Sequence, residues 1–205
     1  MPPPLPSCYC LNNMIDSSRM NYYCIMVRTG GEEEFKADAL EKMKVSNLEQ
    51  ASSAQFWFFR RKLRIGGKQN GHIIDPPLFP GYVFMGINGE VDSYLYEEIR
   101  KVKNFYHFLS SNANRVALYG RDLEIMHHLL RFGETSGFSK ARFDENDRIV
   151  IVEGCAAGKM GQIIKVDRRK QRVTVRLDFC GSINTIDLGY ELINKLPPRA
   201  TKSHA

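Results

Sequence analysis

The chain has 205 residues, of which 43% are hydrophobic and 25% charged, with a formal charge of +6. These values are ordinary for a soluble globular protein of one domain or two small ones, and they permit nucleic-acid contact without requiring it. No apolar run approaches the roughly 18–20 residues that span a bilayer, and residues 1–19 lack the basic-then-apolar order of a secretory signal. A membrane role is therefore not expected, and the chain reads as cytoplasmic and monomeric.

Residues 1–19 are Pro-rich and contain Cys8 and Cys10. They are expected to be a disordered extension, or to precede the true start at Met20. The five cysteines (Cys8, Cys10, Cys24, Cys155, Cys180) include no C-x-x-C pair and no clustered Cys/His spacing. They read as reduced, mostly buried thiols, with no metal and no cofactor.

Residues 22–28 are apolar and β-prone, which predicts a strand. Thr29 followed by Glu32 fits a capping box, with Glu32, Glu33 and Glu34 near the positive end of the helix dipole. Phe35, Ala39 and Met43 recur on one face of that helix. Residues 56–64 form an aromatic-then-basic strand, and a Gly-rich loop over 66–71 leads to 82–87, the second strand of a hairpin. A helix is expected over 91–102 with Leu95, Ile99 and Val102 inward, then a short strand over 105–109. Leu123, Met126 and Leu130 mark a further helix.

This β-α-β-β-α-β order predicts an α+β domain over residues 20–132, an antiparallel sheet with helices mainly on one face. The other face then needs a partner or must tolerate exposure. Residues 133–142 are small and polar and read as a flexible linker. Short strands over 148–152, 161–166, 173–177 and 184–187 predict a small SH3-like β-barrel at 143–196, followed by a disordered tail at 197–205.

Two stretches carry more than fold class. Residues 77–84 read Pro-Leu-Phe-Pro-Gly-Tyr-Val-Phe, and about seventy residues later come Val150-Ile151-Val152-Glu153-Gly154, then Gly158 and Gly161. In this order and at this distance they resemble the two halves of a NusG-type transcription factor, an NGN domain and a KOW domain, over residues 20–196.

Strand alternation puts Pro80, Tyr82 and Phe84 on one face, with Val83 and Met85 on the other. Tyr22, Cys24 and Met26 likewise share a face. If that face is opposite the helices, Tyr22, Met26, Tyr82 and Phe84 form an uncovered aromatic cup; the bland alternative is ordinary core. In NusG and RfaH this surface grips the clamp helices of the largest RNA polymerase subunit. The resemblance thus implies polymerase contacts at Met26, Pro80, Tyr82 and Phe84, with Tyr22, Phe56 and Phe58 as neighbours. Ser93 and Tyr94 match where RfaH meets the opposite polymerase jaw, although the residues differ.

Between 159 and 176 lie Lys159, Lys165, Arg168, Arg169, Lys170, Arg172 and Arg176, against the single acid Asp167. The run from Asp167 to Arg172 reads as a turn between strands, which concentrates charge suited to RNA phosphates and splayed bases. A solvated charged turn is the alternative. Where housekeeping NusG proteins show Gly-Pro-Phe, this chain has Gly154-Cys155-Ala156, and its Asp-Arg-Arg-Lys turn resembles that of the LoaP antiterminators. The resemblance therefore implies a specialised antiterminator that binds a nascent RNA hairpin through its KOW domain.

Rival readings follow from other residues. A housekeeping elongation factor coupled to ribosome or Rho remains open. So does an RfaH- or UpxY-like operon regulator recruited through non-template DNA by Arg60, Arg61, Lys62 and Arg64. His127, His128, His72 and His107 have no nucleophile or carboxylate at a recognised spacing, and Gly154–Gly158–Lys159 lacks the spacing of a P-loop, so no enzyme is expected. The β-branched Val173, Val175, Ile183 and Ile186 disfavour refolding of the second domain into helices.

Overall fold

The computed structural model describes residues 20–46, 49–66, 71–109 and 115–193. The expectations for residues 1–19 and 197–205 lie outside them. In chain order the elements are β1 (Met20–Val27), α1 (Glu32–Val45), β2 (Gln55–Trp57), β3 (Arg60–Arg61), β4 (Leu63–Ile65), β5 (His72–Ile74) and β6 (Tyr82–Asn88). There follow α2 (Ser93–Arg100), β7 (Phe105–Phe108), α3 (Gly120–Leu130), β8 (Thr135–Ser136), β9 (Ser139–Phe143), β10 (Ile149–Glu153), β11 (Gln162–Asp167), β12 (Arg172–Phe179) and β13 (Ser182–Leu192). No helix among the described residues is long and apolar enough to cross a membrane.

The first domain is built on a four-stranded antiparallel sheet in the order β2-β6-β1-β7. Its first face packs under α1 and α2. Tyr23, Ile25, Val83, Met85 and Ile87 point there and meet Phe35, Ala39 and Met43 of α1 and Leu95 and Ile99 of α2. The helical spacing of those apolar side chains is what lays both helices on the sheet. Asp92 caps α2 by accepting from the Leu95 amide (2.8 Å).

The expected capping box of α1 does not form. Gly31 occupies the cap position without a side-chain bond. The buried Glu32 carboxylate instead accepts from the Gly30 amide (2.8 Å) and the Gly81 amide (2.7 Å). A carboxylate buried beside two amides at the positive end of a helix is well satisfied, and here it ties α1 to the start of β6.

Three further expectations are corrected. The strand expected over 56–64 breaks into β2, β3 and β4, because the backbone around Phe58 and Phe59 leaves the sheet. The Phe58 amide donates to Glu134 Oε1 (2.9 Å), and Phe59 O accepts from the Leu78 amide (2.7 Å). Within the expected hairpin, β4 pairs with the short strand β5 rather than with β6. Finally, α3 does not join the other helices. Its buried residues, Ile125, Met126 and Leu129, belong to a second core on the opposite side of the sheet.

The C-terminal domain is a five-stranded sheet in the order β10-β9-β13-β12-β11, the β-rich unit anticipated as a barrel. Along β12, Val173, Val175, Leu177 and Phe179 alternate inward, facing Ile186, Leu188 and Tyr190. Residues 133–142 are not the expected open linker. They carry β8, paired in parallel with β3, and most of β9, which lies inside the barrel sheet. Glu134 anchors the crossing through an ion pair with Lys36 (2.5 Å) and the bond from the Phe58 amide.

Candidate functional site

The β1/β6 register sets Met26 opposite Tyr82, Cys24 opposite Phe84 and Tyr22 opposite Gly86, while β2 brings Trp57 beside Phe84. Alternation then gathers Tyr22, Cys24, Tyr82 and Phe84 on the face away from α1 and α2, with Trp57 closing one side. The Tyr22 and Trp57 rings lie 5.7 Å apart. Gly86 makes that closure possible: a Cβ there would come within 2.7 Å of the Met20 sulfur and 2.8 Å of the indole. Leu78 and Phe79 fold into the same cup from the loop before β6, and Arg61 holds that loop by donating to the Pro77 and Leu78 carbonyls.

The cup is covered by the second domain, not open to solvent. Phe179, at the end of β12, stacks on Phe84 with ring centroids 5.6 Å apart and planes inclined by 25°, and it lies 5.0 Å from Phe79. Phe179 and Ser182 pair across the hairpin, so Cys180 and Gly181 form its two-residue turn, both with positive φ (56° and 69°). Cys24, Tyr82 and Cys180 line one narrow gap with Phe79, Phe84 and Phe179, so the hairpin turn of the second domain lies against the cup. Burial raises the Tyr82 phenol above its ordinary value, and the neighbouring Cys24 adds to the rise. The third helix completes the cover: His127 meets Tyr22 edge-on at 5.5 Å, and His128 Nε2 donates to the Cys155 carbonyl at 3.0 Å.

The residues selected for this face from the sequence therefore divide. Tyr22 and Phe84 are buried beneath the barrel and its neighbours, Met26 and Tyr82 are half-buried, and Pro80 is exposed. Phe56 points the other way, into the helix-side core, with its ring edge-on to Phe35 at 6.4 Å. Phe58 is buried under the Arg60 guanidinium, 4.9 Å from its ring, and belongs to neither core. Trp57, Phe59, Leu78 and Phe79 line the cup without having been selected. The run Phe56-Trp57-Phe58-Phe59 is apolar at every position, so alternation gives it no phase. Pairing with β6 supplies one. Ser93 and Tyr94 are exposed in the first turn of α2, away from this surface.

The seven basic residues do not form one patch. Arg169 and Lys170 are exposed in the turn between β11 and β12, and Lys165 is exposed on β11. Arg168 lies over the Phe143 ring (4.3 Å) and pairs with Asp147 (2.8 Å). Arg172 turns toward the first domain and donates to the Arg64 carbonyl. Arg176 stands roughly 13 Å along β12 from Arg172, beside Arg121 of α3. The Lys159 side chain lies outside the described residues.

The backbone amide of Lys170 bonds Asp167 Oδ1 (2.9 Å), which shapes the turn and holds that carboxyl below its ordinary value. In the first domain, Arg60 pairs with Glu33, and Arg64 pairs with Glu191 (2.5 Å) while covering the Phe138 ring. Among the described residues no three His, Cys, Asp or Glu side chains are grouped to hold a metal ion.

Comparison with known proteins agrees with this architecture. The family described as "Transcription termination factor nusG" matches residues 20–127. The transcription termination/antitermination protein NusG of Rickettsia conorii is 19% identical over 193 residues, covering 90% of this chain and 96% of that protein. A solved structure described as "Domain interaction in Thermotoga maritima NusG" superposes with a TM-score of 0.52 at 21% identity, over 84% of this chain and 94% of that one. The family match spans more than half of the sequence, and the two-domain α+β architecture is shared, so this chain belongs to the NusG family of transcription factors.

Proposed function

We propose that this protein is a transcription elongation and antitermination factor that docks on RNA polymerase through the aromatic cup and contacts nascent RNA through the tip of the basic turn. The observation that carries the reading is the cup itself. Tyr22, Trp57, Tyr82 and Phe84 line a sheet face that α1 and α2 leave uncovered, and its cover is a second domain. Apolar aromatic surface of this kind suits a partner helix laid into a groove.

The tip of the polymerase clamp helices is the partner that the family resemblance implies. Phe179 occupies the same aromatic wall, so docking and domain closure exclude each other, and the free energy of closure is subtracted from that of docking.

For RNA, the supporting residues narrow to Lys165, Arg169 and Lys170, which face solvent. Arg168 would have to leave Asp147, and Arg172 and Arg176 point elsewhere. The DNA-recruitment reading is weaker, because Arg60, Arg61 and Arg64 are engaged by Glu33, by the Pro77 and Leu78 carbonyls and by Glu191. A general NusG role has one specific support, the similarity to the Rickettsia protein along nearly the whole chain.

Occupancy of the tagged protein across transcribed genes, with RNA ends mapped in a deletion strain, separates the readings. Confinement to one or a few long operons, with premature termination there on deletion, fits the specialised antiterminator. Even occupancy across most genes makes it a general factor and reduces the turn to a charged surface.

A further inference from the structure

Two thiols from different domains meet inside the covered cup. Cys24 comes from the centre of β1 and Cys180 from the β12–β13 turn. They line one narrow gap, too small for water, together with Tyr82, Phe84 and Phe179. Both are free and buried. Their approach is fixed from two sides, because Phe84 is the register partner of Cys24 and Phe179, which stacks on Phe84, immediately precedes Cys180.

The turn residue is itself unusual. Position 180 has φ +56°, in a two-residue hairpin turn where Asn, Asp or Gly is the favoured occupant. A cysteine is held there against its backbone preference, and it lines the same gap as a second cysteine.

We propose that Cys24 and Cys180 are an interdomain dithiol site, which a low-molecular-weight disulfide oxidises to a Cys24–Cys180 disulfide that holds the barrel on the cup. The electron balance is that of thiol–disulfide exchange. One cysteine thiolate attacks a sulfur of the small disulfide, forming a mixed disulfide and releasing one small thiolate. The second cysteine thiolate then attacks the protein sulfur of that mixed disulfide, and the second small thiolate leaves. Two protein thiols are oxidised, one small disulfide is reduced to two thiols, and the cysteine protons end on the leaving sulfurs.

In the closed form, burial and the neighbouring thiol raise Cys24 well above its ordinary value, so its thiolate is scarce there. The first attack therefore belongs to the open form, and closure delivers the resolving thiol. Reduction by a small thiol releases the barrel. The consequence for transcription rests on the docking reading above; the disulfide does not.

The test uses the full chain, reduced, freed of reductant and exposed to oxidised glutathione. The expected product has lost two hydrogen atoms of mass, carries no glutathione, yields a linked Cys24–Cys180 peptide on digestion and reverts with dithiothreitol. Hydrogen exchange along β6 is expected to slow in the oxidised form. Cys24→Ser and Cys180→Ser should each abolish the linked peptide, and Cys155→Ser should leave it intact. The peptide map of the unmutated protein decides the matter should a variant fail to fold. Stable glutathione adducts on the separate cysteines, linkage mainly to Cys8, Cys10 or Cys155, or unchanged exchange along β6 would overturn the proposal. Polymerase capture is then compared between the two redox forms. Capture lost on oxidation and restored by reductant supports the latch. A disulfide that slows exchange without altering capture upholds the dithiol site and sinks the docking reading.

Discussion

The two faces of the first domain's sheet bury apolar surface in different ways. Under α1 and α2 the sheet presents the aliphatic Ile25, Val83, Met85 and Ile87 together with Tyr23, Phe56 and Phe108 to helices linked to it by short turns. The opposite face presents Tyr22, Trp57, Tyr82, Phe84 and the Cys24 thiol, and its cover, Phe179 with the Cys180 turn, arrives from more than seventy residues further along the chain. The first face is integral to the folded domain. The second can lose its cover and leave the sheet intact, since none of the four-stranded ladder runs through the barrel. Aromatic rings with a polar tip tolerate that exchange better than aliphatic side chains do. A sheet whose central strand is buried on both faces therefore need not be wholly the core of one domain.

The strongest way to break this comparison is to remove the cover. Phe179→Ala should weaken closure by about 3–5 kcal/mol, the usual cost of truncating a buried Phe, read as faster hydrogen exchange along β6. Polymerase binding should tighten. Tyr82→Ala acts on the other side of the same contact and should cost docking about 2 kcal/mol or more, with the circular dichroism spectrum retained. Opposite signs from these two substitutions are the critical result; weakening by both would show that the cup is not shared.

Glu134→Ala tests the crossing between the domains. It removes the Lys36 ion pair and leaves the Phe58 amide without its acceptor, so a stability loss of about 1–2 kcal/mol is expected in urea titration. The smallest effects belong to the turn. Arg169→Ala and Lys170→Ala should each flatten the log–log salt dependence of RNA binding by roughly 0.7–0.9, with stability unchanged within about 0.5 kcal/mol. Arg168→Ala should change the slope less, because Asp147 already neutralises that guanidinium.

Much of this was legible in the residues. Phe35, Ala39 and Met43, and Leu95, Ile99 and Val102, recur at helical spacing, and all six are buried. Val83 and Met85 alternate with Tyr82 and Phe84, and the strands keep that phase. Local periodicity failed where it carries no information. The all-aromatic run around Trp57 is one such place. Residues 133–142 are another, where polar side chains conceal β8, whose partner lies far off in sequence, and β9, which pairs both with its neighbour β10 and with the distant β13. The capping box failed because Glu32 found a better second donor in the Gly81 amide, a contact made only in the folded domain.

The sequence by itself determined the three helices and the strands β1 and β6, the aromatic composition of the β1 and β6 face, the cation-rich turn and the family, because these depend on side-chain chemistry and spacings within a few residues. Only the tertiary structure decided that the barrel covers the cup, that Trp57 rather than Phe56 or Phe58 lines it, that the cations divide among three places, and that Cys24 meets Cys180. Each of those facts is a meeting of segments far apart in the chain, settled by which apolar faces bury best against one another, and no local pattern records that choice.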